Sequence, residues 1–119
     1  MRAPLETQVH VTEGIATIEL EGDVDGGARE SLDAAYAAAA ASAEGTVVLD
    51  FSRVVYINST GIALIVGLLG RARADGRMVA ACGLSDHYRE IFEITRLSDF
   101  MSIFADEQSA RAATQGGTA

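Results

Sequence analysis

The run TVVLDF at residues 46–51 constrains the fold more than any other stretch. It is mostly apolar with little alternation, the pattern of a strand covered on both faces, and such strands belong to parallel sheets whose crossovers carry helices. The flanking segments agree. Residues 8–12 and 15–20 alternate in the manner of strands, with Glu13-Gly14 between them as a hairpin turn. Residues 28–43 read as an alanine-rich helix whose buried stripe is Leu32, Tyr36 and Ala39, and Gly45 stops it. After the central strand, residues 52–58 form a connection with Ser52 as a turn residue. Residues 60–74 make a second helix that exits at Asp75-Gly76. A strand follows at 77–82. Ser85 or Asp86 then caps a third helix with Tyr88, Ile91, Phe92 and Thr95 on one face, and 101–104 and 107–113 supply a last short strand and helix. This order predicts an α/β fold: a mostly parallel β-sheet with an initial antiparallel hairpin, flanked by about four helices. The expected layout is a single domain over 1–113 and a disordered tail over 114–119.

Composition narrows the function. A chain of 119 residues with 49% hydrophobic residues can close a core without staples, and its lone cysteine, Cys82, cannot form an internal disulfide. The net charge of −8 with nine Lys and Arg argues against a nucleic-acid surface, and a basic protein partner fits better. Nothing at the N-terminus resembles a signal peptide, and residues 54–70 are too short and too polar to span a bilayer, so a cytoplasmic protein without membrane insertion is expected.

Those same residues carry the candidate site. Asn58, Ser59, Thr60 and Gly61 interrupt two apolar halves where a strand hands over to a helix, and unpaired amides at such a corner favour negative charge. Ser59 is placed to cap the second helix. Gly61, which weakens that helix, leaves the backbone open to a partner or a phosphate. Asp25 in the acidic, glycine-rich turn 21–27 is placed to cap the first helix. Thr60 is expected to face the core or bond locally. In the second helix Ile62, Ile65 and Val66 are read as core, with a partner patch as the alternative. His10 and His87 have no ligand spacing or acidic cluster around them, so no metal is expected, and no cofactor. Cys82 reads as a small core residue. The G-x-S-x-G elbow is absent, so the chain does not read as an enzyme.

Three blocks in order carry a family resemblance: EGDVDGGARESL at 21–32, VVLDFSRVVYINSTGIALIVGL at 47–68, and GLSDHYREIFEITRLSDFMSIF at 83–104. Together they resemble the STAS domain of the bacterial anti-sigma factor antagonists, which implies a STAS-like sheet. The resemblance places that family's phosphorylated serine at Ser59. It implies a partner that is an anti-sigma factor serine kinase, a serine phosphatase that reverses the modification, and a contact surface of Asp23, Asp25, Asn58, Ser59, Thr60, Gly61 and Ile62. Three departures stand out: Asn58 replaces an Asp, Thr60 a second Ser and Asp86 a Pro. The first removes a charge beside the acceptor. The alternative is therefore an unphosphorylated STAS subunit that regulates a larger assembly, such as a lipid-transport complex or a stress-signalling scaffold.

Overall fold

The computed structural model of the chain describes residues 3–116. A sheet of five strands runs in the order β1-β2-β3-β4-β5, where β1 is Glu6–Thr12, β2 Ile15–Val24, β3 Val47–Ile57, β4 Val79–Cys82 and β5 Ser102–Phe104. The β1–β2 pair is antiparallel and the other three pairs are parallel. Glu13 and Gly14 close the hairpin with φ of 54° and 81°, the left-handed values that a two-residue turn demands. Helices α1 (Arg29–Ser42), α2 (Ser59–Ala74), α3 (Asp86–Ile94) and α4 (Glu107–Gly116) complete the fold. The expected mixed α/β architecture is present. No helix among the described residues is long and apolar enough to cross a membrane.

Alternation along the strands sorts the core onto two faces. Ala16, Ile18, Leu20, Val47, Leu49, Phe51, Val79 and Ala81 pack against the buried residues of α1 and α2 and against Phe92 of α3. Phe51 and Phe92 meet edge to face, ring centroids 5.7 Å apart. Ile15, Val48, Ala80 and Cys82 point the other way and pack with Ala110 of α4. Both faces of the central strand are thus covered over 47–51, which is why its sequence barely alternates.

Several element boundaries differ from expectation. Residues 52–57 are not a connection, because β3 continues to Ile57 alongside an equally extended β2, with register shifts between Glu19 and Glu21 and between Gly22 and Asp23. Ser52 is therefore a strand residue, and its hydroxyl donates to Asp50 at 2.6 Å. Residues 21–24 of the acidic stretch are likewise strand. Thr95 is exposed at the end of α3, where its hydroxyl donates to the Ile91 carbonyl. Helix α4 runs on to Gly116, past the expected end at 113, and residues 1–2 and 117–119 lie outside those described.

Arg77 and Met78 stand outside β4, whose first residue is Val79; the Arg77 amide donates to the Ala72 carbonyl at 2.8 Å and its guanidinium serves the end of α1. It donates to the carbonyls of Ala40 at 2.9 Å, Ala43 at 2.6 Å and Gly45 at 3.3 Å. The last turn of α1 contains no basic residue, so Arg77 supplies the positive charge that a helix C-terminus favours. Charge-assisted bonds of this kind are worth about 1.5–3 kcal/mol, and Arg77→Ala should lower unfolding stability by about that amount in urea titration.

Candidate functional site

The site lies where β2 and β3 both deliver their carboxyl ends to the start of α2. Asn58, in an extended conformation with φ −99°, caps that helix, its side-chain oxygen accepting from the Gly61 amide at 2.8 Å. Its backbone carbonyl accepts from Ile62 at 2.9 Å, and its own amide donates to the Val24 carbonyl at 3.2 Å. The cap expected at Ser59 is therefore one residue earlier. Asn58 has the extended backbone and the short acceptor side chain that the position needs, whereas Ser59 already lies within the helix.

Gly61 also has a different role from the one expected. It is buried, and a β-carbon there would stand 1.9 Å from the carbonyl oxygen of Val24. The glycine lets α2 seat against the end of β2.

Asp23 and Asp25, expected on a contact rim, are each only 7% exposed. The Asp23 carboxylate accepts from the Ala3 amide at 3.1 Å, and the Asp23 amide donates back to the Ala3 carbonyl at 2.9 Å. Asp25 accepts from the Gly27 amide at 2.9 Å and so caps the short 3-10 turn Gly26–Ala28 that leads into α1, the capping role its position in the sequence indicates. Both carboxylates belong to the scaffold.

Ser59 is exposed at the first position of a sixteen-residue helix whose first turn holds no acidic residue. Thr60 is exposed as well, its methyl near Gly26, so of the two placements expected of it, facing the core or bonding locally, the first does not hold. Ile65 is buried, Ile62 is half-buried against the core, and Val66 is 49% exposed, so the three do not form one outward patch. The residues that precede the cap supply apolar surface that the sequence reading missed. Val55 is 70% and Tyr56 51% exposed at the end of β3. Treating 52–58 as a connection hid them. Below this corner the Ile57 amide donates to the Tyr88 hydroxyl at 2.9 Å, which ties α3 to the site.

Cys82 and His10 lie away from this corner. Cys82 is fully buried, and burial, with Asp50 nearby, pushes its thiol up to about 12, so it stays protonated and inert. His10 does have acidic neighbours, contrary to expectation. Its Nε2 lies 2.9 Å from Glu107 of α4 and its Nδ1 3.5 Å from Glu19 of β2, because the hairpin and the last helix converge on that face.

Residues 8–103 match the family model described as "Mlab, STAS domain". The chain belongs to the STAS-domain family of the anti-sigma factor antagonists. It is 36% identical over 101 residues to a Bordetella bronchiseptica protein named "Putative anti-sigma factor antagonist BtrV", covering 85% of this chain and 84% of that one. It is 39% identical over 61 residues to the anti-sigma-B factor antagonist of Listeria monocytogenes, covering 50% of this chain and 54% of the relative. Among solved structures, an anti-sigma factor antagonist from Mycobacterium paratuberculosis superposes with a TM-score of 0.76 at 22% identity, over 97% of this chain and 99% of that one. The antagonist SpoIIAA in its unphosphorylated form gives 0.71 at 23% identity, over 93% and 99%. Its phosphorylated form gives 0.66, also at 23%, over 91% and 99%. Proteins of this STAS family are regulatory rather than enzymatic.

Because Asn58 carries the cap, Asn58→Ala should cost about 1 kcal/mol of stability. Ser59→Ala should stay within about 0.5 kcal/mol, as exposed substitutions do. Guanidinium titrations of both variants measure the contrast, and the reverse order would restore Ser59 as the cap. Gly61→Ala should destabilise by about 3 kcal/mol, since the added methyl meets backbone that cannot move without parting α2 from β2.

Proposed function

We propose that this STAS domain is an anti-sigma factor antagonist, that its partner is an anti-sigma factor with serine kinase activity, and that phosphorylation of Ser59 breaks their contact. The observation that supports this most directly is the exposed hydroxyl of Ser59 at the first position of α2, relieved of capping by Asn58. A phosphate there adds about −1.5 to −2 charge where the helix dipole favours an anion, so the fold tolerates it. A partner pressed against Val55, Tyr56 and Ser59 does not. It would have to desolvate a dianion within a largely apolar contact, and the cost falls on association rather than on folding. The relatives named as antagonists support the same role, and SpoIIAA, which shares this fold, is known in both modification states. On this reading a serine phosphatase resets the switch.

A second reading has its own support. The matching family model is described by the name Mlab, and Asn58 stands where the resemblance implies an Asp, which fits an unphosphorylated subunit of a larger assembly.

The two readings separate in one experiment. Incubated with ATP and the anti-sigma factor kinase of its own organism, the protein should gain one phosphate, at Ser59 by mass spectrometry, and affinity for the kinase should then fall at least tenfold, or about 1.4 kcal/mol. Ser59→Asp should bind weakly, and Ser59→Ala should stay bound in the presence of ATP. If the kinase leaves Ser59 unmodified, or binds both forms equally, the unphosphorylated subunit takes the place of the switch.

A further inference from the structure

The face of the sheet beneath α4 brings together side chains that are far apart in sequence. His10 of β1, Glu19 of β2 and Glu107 of α4 each place one donor atom so that all three lie within 4.8 Å of one another. We propose that they form a binding site for one divalent transition-metal ion of the zinc class, which fastens α4 to the β1–β2 hairpin.

The spacing fits one ion. Ligand bonds of about 2.0–2.2 Å to imidazole nitrogen and carboxylate oxygen separate donors around a centre by no more than about 4.4 Å, so an ion bound at His10 Nε2 beside Glu107 requires the Glu19 carboxylate, which faces Nδ1 at 3.5 Å, to swing across the ring edge toward it. One imidazole with two carboxylates suits zinc and its neighbours better than calcium or magnesium, which take oxygen donors throughout. The ligands are 38%, 38% and 23% exposed, which leaves an ion a path from solvent.

A second observation points to the same place. The β1–β2 register sets Thr17 directly opposite His10 and two residues from Glu19, on the face that α4 covers. Its side chain is fully buried, and its hydroxyl finds no hydrogen-bond partner. A buried hydroxyl left in this way is costly, and an ion or its bound water would give the oxygen lone pairs a partner. Arg111, whose Nε has no hydrogen-bond partner among the described residues, stands 3.4 Å through that atom from the Glu107 oxygen that faces His10. Its positive charge offsets one of the two negative ligands, so the affinity should be micromolar rather than nanomolar.

Calorimetric titration of the metal-stripped full chain with Zn²⁺ near neutral pH tests this. One equivalent should bind with a dissociation constant tighter than about 100 μM, and the unfolding temperature should rise with added Zn²⁺. Glu19→Gln and Glu107→Gln should each weaken binding at least tenfold, while His87→Gln, on the exposed face of α3, should leave it unchanged. A readout on the unaltered chain accompanies these. The sequence has two histidines, and the imidazole proton signals of His10 should shift on adding Zn²⁺ while those of His87 do not. Binding weaker than that limit, binding that survives Glu107→Gln, or a shift confined to His87 overturns the site.

Discussion

The arrangement at the candidate site depends on how closely α2 approaches the end of β2. With hydrogen alone at position 61, the first turn of the helix rests on the Val24 carbonyl, which at the same time accepts the Asn58 amide. That one oxygen sets the relative position of two strand ends and a helix start. The 3-10 turn that follows it is fixed independently by Asp25, so the floor of the corner is made of short, locally bonded backbone. What stands above the floor is free to meet solvent: the side chains of Val55, Tyr56, Ser59 and Thr60.

Much of this was legible from sequence because patterns of period 2 and 3.6 report burial directly. The two-sided covering of the strand over 47–51, the hairpin turn at Glu13-Gly14 and the Leu32, Tyr36 and Ala39 stripe all appear as read, although that strand starts at Val47 and runs on to Ile57. The misreadings share a cause. Residues 21–24 and 52–57 look like loops because they carry Gly, Asp, Ser and Arg, yet each stabilises the other through a parallel pairing more than twenty positions apart, which no local window reports. Asp23 and Asp25 failed as surface charges for a related reason. An acidic side chain reads as exposed until the backbone amide that it accepts from is known. The cap moved by one residue because Asn and Ser are nearly equivalent acceptors, and only the backbone angles decide between them. The acids around His10 come from elements up to 97 positions away, and spacing along the chain carries no trace of them.

The two faces of the sheet are unequal in a way that divides the molecule's work. One carries the large core that holds α1, α2 and α3, and with it the geometry of the corner at Ser59. Among the described residues the other carries a small cluster of five buried residues with Phe104 packed against it, a smaller apolar area for α4 than the first face offers its helices. The contact between His10 of β1 and Glu107, at 2.9 Å, adds a polar tie between that helix and the hairpin. Stability is therefore concentrated on the face that builds the corner at Ser59 and is thinner beneath the C-terminal helix.

The separation of Asn58 from Ser59 has an evolutionary consequence. Where one residue both starts a helix and receives a modification, losing the modification also weakens the fold, and selection must act on the two together. Here the cap at Asn58 and, on the proposed reading, the modified hydroxyl at Ser59 occupy adjacent but distinct positions. A lineage can exchange Ser59 for another small residue at almost no structural cost, and can regain it by a single substitution. On that reading, descendants of such a domain can pass between regulated and constitutive forms while their architecture stays unchanged.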